Sequence, residues 1–209
     1  MPLRAKEKKE RALQTKLFLK AFRSHSPKSA MVRRPNRPGI HGGKRTRQGS
    51  EFKLQLAEKQ KIRISYGLSE KQMKNLVNEA FSKAKTIDIS VPSYIINKLE
   101  TRLDNVVYRM GFAPSRIVAR QIVNHGHITV NGRGVTVPSY SLKMGDVVAV
   151  KESRKSSPLF RDLPNTLKGH NEPSWLLVDD AAVSGKVKTK PEGVELPFDI
   201  NLIIDYYSR

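Results

Sequence analysis

The chain contains no cysteine among its 209 residues, which excludes disulfides and thiolate metal sites and suits a reducing compartment. No stretch approaches the roughly 18 apolar residues that cross a bilayer as a helix. The N-terminus lacks the apolar core of a secretory signal, and Glu7 and Glu10 argue against a transit peptide. A soluble intracellular protein with no membrane partner is therefore expected. Aromatic residues make up only 7% of the chain, so stacking on unpaired bases has little material to work with. Acid is scarce too: 19 Asp and Glu stand against 39 Lys and Arg, a net charge of +20 with a pI near 10.3. Residues 1–50 alone hold 15 basic side chains and two glutamates, which leaves +7 for the other 159 residues. Such an excess repels itself unless it meets a polyanion, and no basic amphipathic helix points to a membrane surface. Nucleic acid is the expected partner. No P-loop, dinucleotide-binding glycine motif or metal-ligand cluster is present, so neither a cofactor nor a metal is expected.

What is present centres on 98–150. In LETRLDNVVYRM, Leu99, Leu103, Val106, Val107 and Met110 recur at helical spacing, and Gly111 stops the helix. Pro114 bars continuation, and Ser115 is placed to cap a second helix, RIVARQIVNH. Its core side is read as Ile117, Val118, Ile122 and Val123, with Arg116 and Arg120 four apart on an exposed edge. Ile128–Val130 and Val135–Val137 then flank Asn131-Gly132, a strong hairpin signal because both turn residues tolerate positive φ. A turn at Lys143–Asp146 leads into a strand over Val147–Val150.

The string from Leu99 to Gly132, followed by PSYSLKMGDVVAV, resembles the RNA-binding αL domain of the bacterial-type small-subunit ribosomal protein S-four family. The likeness extends through PGIHGGKR and EKQKIRISYG to the terminal YSR, and so over nearly the whole chain from about Leu17. It implies an α+β protein: an N-terminal extended tail, a helical domain, an inserted αL domain of two helices plus a small antiparallel sheet, and a C-terminal segment returning to the helical domain. The expected divisions are a basic tail at 1–50, a helical domain at 51–97 completed by about 188–209, and the αL unit with its extension at 98–187. The implied function is a structural constituent of the small ribosomal subunit that binds the five-helix junction in the 5′ domain of its rRNA. The implied neighbours are ribosomal proteins S-five and S-three, beside the tunnel through which mRNA enters, with an influence on decoding accuracy. Repression of its own mRNA is a further family habit. Bacterial cytoplasmic and organellar ribosomes both fit.

Family members often hold a zinc ion on four N-terminal cysteines. The matching positions here are Ser24 and Ser29, with the earlier pair near Glu7 and Glu10, a poor zinc set that His25 and His41 cannot repair. Another departure lies near the end, where two residues usual in the family are missing before LIIDYYS, which puts the docking of the last helix in doubt.

Elsewhere, Met1–Lys16 reads as a mobile arm, Leu17–Phe22 as a short helical anchor, and the Pro- and Gly-rich stretch beyond as an extended basic segment. That segment offers Arg33, Arg34, Arg37, His41, Lys44, Arg45 and Arg47 to RNA phosphates. A helix from Glu51 to about Gly67 takes Phe52, Leu54, Leu56 and Ile62 as its core, with Lys59, Lys61 and Arg63 outward as phosphate contacts. Ser69 and Gln72 form a capping-box pattern before Met73, Leu76, Val77, Ala80 and Phe81. These two helices are expected to pack together. Pro92 suits an early helix position. Residues 151–164 read as a loop or short helix, Trp175–Val178 as a strand with Trp175 in the core, and Lys186–Leu196 as a hairpin turning at Pro191-Glu-Gly193.

In the αL unit, Ser115, Arg116, Arg120, Gln121, His125, His127, Asn131 and Lys143 are the candidate RNA-binding residues, suited to the shape and phosphates of folded RNA. The catalytic alternative is Arg102-Leu-Asp104, which matches the motif whose aspartate attacks the nucleotide in pseudouridine synthases. No catalytic domain accompanies it, and Asp104 has bases nearby to pair with, so no enzyme is expected. A smaller RNA-binding stress or rescue factor is the other alternative, and it has no need of the basic N-terminal segment.

Overall fold

The computed structural model describes residues 7–20, 23–24, 26–44, 49–86, 89–194 and 196–208. The protein is α+β and divides into two units, Met1–Ile95 with Glu195–Arg209, and Ile96–Val194. Arg45, Arg47, His25 and Phe22 lie outside the described residues.

In the first unit, α1 (Glu7–Leu13) occupies part of the segment read as a mobile arm. Glu10 explains it: this carboxylate is buried, and its Oε1 accepts from the backbone amides of Leu17, at 3.0 Å, and Leu19, at 3.2 Å. Leu17 and Leu19 are both buried on a stretch without regular structure, with Phe18 between them at φ +53°, so the helical turn expected over Leu17–Phe22 does not form among the described residues. The α1 helix also grips the chain ahead of it, Arg11 donating twice to the Asn36 carbonyl at 3.0 and 2.8 Å. A short α2 follows at Ala30–Arg33. At the positions matching the family's zinc ligands, Glu10 is thus a backbone cap, Glu7 pairs with Arg23 at 3.2 Å, and Ser24 accepts from the Lys20 amide.

The helices α3 (Glu51–Ser65) and α4 (Glu70–Ala84) form where the periodicity places them, and α4 opens with the reciprocal Ser69–Gln72 capping box. Met73, Val77 and Ala80 are fully buried. The buried side of α3 differs from expectation: Phe52 and Leu54 are about half exposed at 50% and 52%, whereas Gln55 and Lys59 are buried beside Ile62. The main neighbour of α3 is the last helix, α10 (Ile200–Ser208), rather than α4. Lys59 donates to Glu70 at 2.7 Å and to the Tyr206 hydroxyl at 3.2 Å, and lies 4.3 Å from the centre of the Tyr206 ring. The Tyr207 hydroxyl donates to Glu70 as well, at 2.9 Å. The last helix is docked by Ile203, which is fully buried, and by the Asp199 amide donating to Glu58.

Burial opposes ionisation of Glu70, but hydrogen bonds from Lys59 and Tyr207 and the charges of Lys59 and Arg63 outweigh it and hold its pKa below the usual carboxylate value. A depressed folded pKa stabilises fully above the unfolded value of about 4.3, and that stabilisation is lost as pH falls through the lower folded value. Glu70→Gln is therefore expected to melt earlier than the wild type at pH 7, with the gap closing towards pH 3. Thermal melts across that range check it; a constant gap would remove Glu70 ionisation from the account.

The helix α5 (Val91–Glu100), with Pro92 in its first turn, has residues that divide between the two units after Ile95. The single helix expected through Leu99–Met110 is broken at Thr101-Arg102, and α6 (Leu103–Arg109) starts afresh. The loop 138–140 takes over the first amides of α6: Leu103 N–H donates to the Tyr140 carbonyl at 2.9 Å and Asp104 N–H to the Pro138 carbonyl at 3.1 Å. Gly111, at φ +80°, ends α6, and an added Cβ there would meet the His170 ring at 2.9 Å. Next comes α7 (Arg116–Asn124), which buries Ala119, Ile122 and Val123; Ile117, expected in the core, is only half-buried.

Five short antiparallel strands complete this unit: β1 (Ile128–Val130), β2 (Arg133–Gly134), β3 (Val147–Val150), β4 (Leu176–Asp179) and β5 (Ser184–Val187). Between β3 and β4 lie the short helices α8 (Glu152–Lys155) and α9 (Leu163–Leu167). The sheet order is β2-β1-β3-β5-β4. Asn131 and Gly132, at φ +50° and +78°, make the two-residue turn that pairs Val130 with Arg133. Val135–Val137 does not continue the strand, because the chain leaves to lay its 138–140 carbonyls over α6. The second hairpin is β4–β5, turning through 180–183, and not 186–196. Trp175, Phe160 and Val187 close the core beneath the sheet with Val106, Val107 and Met110 of α6.

Candidate nucleic-acid interface

The first turn of α6 organises a network of arginines. Asp104 accepts from Arg102 at both oxygens, at 3.0 and 2.7 Å, and Arg120 of α7 lies 3.8 Å from the same carboxylate. Glu100 is completely buried and accepts from Arg109 at both oxygens, at 3.0 and 2.9 Å, and from the Asn105 amide at 2.9 Å. Asn105 in turn accepts from Arg116 Nε at 2.8 Å, and the Arg116 guanidinium stacks 4.6 Å above the Tyr108 ring. Arg116 and Arg120 are thus not loose on an exposed edge but held against α6. Each guanidinium carries five N–H donors in a rigid plane, so fixing it by one partner sets the direction of the rest, which suits bidentate capture of phosphate. Sequence reasoning misses Arg102 and Arg109. Their spacing from Glu100 and Asp104 is legible, but the helix break that folds them together is not.

The other candidates are distributed as follows. Ser115 is buried and its hydroxyl accepts from the Val118 amide at 3.4 Å, so it caps α7 rather than facing RNA. Gln121 and His125 are exposed near the end of α7, and His125 lies 6.0 Å from the half-buried His127 ring, centre to centre. Asn131 spends both ends of its amide on the fold, donating to Asp146 at 2.8 Å and accepting from the Val147 amide. Lys143 is exposed beside this turn, its own amide bonded to Asp146. Lys151 and Arg154, which sequence reasoning does not single out, are exposed around α8 without a side-chain partner among the described residues.

In the first unit, Arg33, Arg34, His41 and Lys44 are exposed and Arg37 half-buried, with no side-chain partner among the described residues. Lys59 has the opposite fate, enclosed with Glu70 and Tyr206. Lys61 pairs with Glu58, while Arg63 is occupied by Gln60 and lies 3.7 Å from Glu70. Nor is Asp104 an idle nucleophile, since Arg102 engages both of its oxygens.

A two-helix unit with a small sheet and a fixed arginine face defines the class, an RNA-binding module of the S4 type. Comparison with known proteins agrees: a family model described as the S4 domain matches residues 101–148, and one described as the ribosomal protein S4/S9 N-terminal domain matches 3–91. The small ribosomal subunit protein uS4 of Thermus thermophilus is 49% identical over 93% of this chain and 92% of its own length. The proteins of the same name from Acetivibrio thermocellus and Desulfitobacterium hafniense are 45% and 43% identical over the same shares. The chain belongs to the uS4 family of ribosomal proteins, which are structural and not enzymes.

Proposed function

We infer that this chain is a structural constituent of the small ribosomal subunit and binds the rRNA of that subunit. The observation that carries the reading is the arginine network of α6 and α7 on a unit of S4 type, where Arg116 and Arg120 are oriented by Asn105 and Asp104, while the buried Arg102 and the mostly enclosed Arg109 lock Asp104 and Glu100 in place. A prearranged guanidinium face favours the phosphates of folded RNA, because the side-chain entropy of aligning the donors has been lost before binding. In the basic segment 1–50 the exposed Arg33, Arg34 and Lys44 add cations that follow the RNA backbone and release counterions. In this reading the helical domain is 51–97 completed by 188–209, and 98–187 is the RNA-binding part.

The finer reading places the protein on the five-helix junction of the 5′ domain during assembly. It puts ribosomal proteins S-five and S-three alongside, near the tunnel where mRNA enters, with a contribution to decoding accuracy and a cytoplasmic location. Repression of its own mRNA belongs to the same proposal. Sedimentation of the tagged protein from lysate at moderate and then high salt, with crosslinked RNA sequenced, tests it. Co-sedimentation with small subunits and crosslinks in the 5′-domain junction is the expected result. Protein that remains free, or that follows large subunits or tRNA, would overturn the assignment.

A further inference from the structure

We propose that the open edge of β4, with the cleft at its N-terminal end, docks an extended segment of a partner protein, acidic and apolar by turns, as a sixth strand of the sheet. The RNA-binding reading makes no use of these residues.

The strand β4 stands last in the order β2-β1-β3-β5-β4, so only one of its sides is paired. Lys188 N–H donates to the Trp175 carbonyl at 2.9 Å, and Leu177 and Asp179 stand opposite Lys186 and Ser184. Bonding alternates along an antiparallel strand, so Trp175, Leu177 and Asp179 turn their backbone groups towards β5, and Leu176 and Val178 turn theirs away. The other side of β5 agrees, since there the intervening residues Val183 and Val187 bond the chain around β3. The Leu176 amide is taken up within its own turn by the Pro173 carbonyl at 2.9 Å. That leaves the N–H and C=O of Val178 and the Leu176 carbonyl as an open ladder, the template on which a further strand pairs.

The side chains beside this edge say which kind of strand fits. Val147, Lys186 and Leu177 stand opposite one another across β3, β5 and β4 and so share a face. Val147 is 40% exposed, Leu177 59%, and Met144, just ahead of β3, 58%. Lys186, Lys188 and Lys190 are exposed, with no side-chain partner among the described residues. At the end of the hairpin, Met144, Ser174, Trp175, Thr189, Lys190 and Glu192 line a cleft of about 560 Å³, ample for a large side chain. An added strand would run about 10 Å from β5, a span that a lysine and a glutamate side chain cover between them. Exposed hydrocarbon set among unpaired lysines matches a peptide that carries both acid and apolar groups. An RNA backbone would match the lysines and leave Met144, Val147 and Leu177 facing phosphates. The net charge of +20 argues in the same direction, because a second copy of this chain would be repelled where an acidic segment is drawn in.

The test uses the full chain and, as probe, an acetylated and amidated octapeptide of alternating glutamate and valine, followed by nitrogen-15 amide spectra and hydrogen exchange. Exchange is expected to slow about tenfold at the Val178 amide on binding, and hardly at all at Leu177 and Asp179, whose amides already face β5. Trp175, the only tryptophan, reports occupation of the cleft by its fluorescence. Lys186→Glu with Lys188→Glu is expected to weaken the peptide about tenfold. Val178→Pro removes the edge N–H and should abolish binding. Val178 is half-buried, so the same octapeptide with alternate backbone nitrogens methylated repeats that test on the unaltered protein, and it should not bind. No binding at about 1 mM peptide, equal binding of the methylated peptide, or equal binding of an octapeptide of lysine and valine would each overturn the proposal. A uridine octanucleotide that shifts the Leu177, Val178 and Lys186 amides where the peptide does not would make this a nucleic-acid face instead. Each of these failures leaves the RNA-binding reading standing, because the two surfaces share no residue.

Discussion

Glu100→Ala is expected to destabilise the S4-type unit by about 3 kcal/mol, the lower end of what removing one partner from a buried ion pair costs. Glu100 is wholly enclosed, and it serves three hydrogen bonds from Arg109 and the Asn105 amide. Alanine would remove both acceptor oxygens from the Arg109 guanidinium, whose side chain is 22% exposed, and would leave the Asn105 amide, which holds Arg116, with only the residue-100 backbone carbonyl of its two acceptors there. Glu100→Gln should cost less, because it still accepts from Asn105 although it cannot bind the guanidinium at both oxygens. Trp175 is the only tryptophan and lies in the core of this same unit, so its fluorescence in a denaturant titration reads the effect directly. An alanine variant within about 0.5 kcal/mol of the wild type, the scatter of ordinary surface changes, would show that the network adds nothing to folding.

The second large effect is on binding. Arg116→Ala combined with Arg120→Ala is expected to weaken affinity for 5′-domain rRNA by about a hundredfold at low salt. The slope of log affinity against log salt should fall by nearly two, one for each phosphate contact removed. Their ties to Asn105 and Asp104 make these more than surface charges, so a stability loss of about 1 kcal/mol should accompany the change, with the fold retained. Asn105→Ala sharpens the test because it removes no charge: if orientation matters, affinity falls while the salt slope barely moves. Unchanged affinity in the double variant would place the RNA elsewhere on the unit.

Local chemistry is the most legible part of the fold. The Ser69–Gln72 capping box, the stop at Gly111, the cap at Ser115 and the turn at Asn131-Gly132 are all written within four residues of where they act. Features fixed by residues distant in sequence are not. The break at Thr101-Arg102 depends on carbonyls from 138–140, which take the α6 amides. The β4–β5 turn carries Val183 at φ +50°, a conformation that a β-branched residue normally avoids, and burial of its side chain in the core is what holds it there. The α1 helix depends on a buried Glu10 bonded to amides seven and nine residues away. Helical periodicity misjudges Lys59 for a similar reason: a lysine looks solvent-bound until Tyr206, 147 positions later, closes over it.

The sequence by itself determined the partner class and the family, because charge is additive along a chain and the motif from Leu99 to Gly132 is specific. It also determined most helix starts and stops, since caps and glycines act on their neighbours. Tertiary structure alone decided which cations face outward. Lys59, Lys61 and Arg63 are taken up by Glu70, Glu58 and Gln60, Arg116 and Arg120 are oriented by Asn105 and Asp104, and Lys151 and Arg154 are left exposed. The physical reason is that a cation's availability depends on whether an acceptor lies within about 3 Å of it, and for a folded chain that distance is set by packing between elements far apart in sequence.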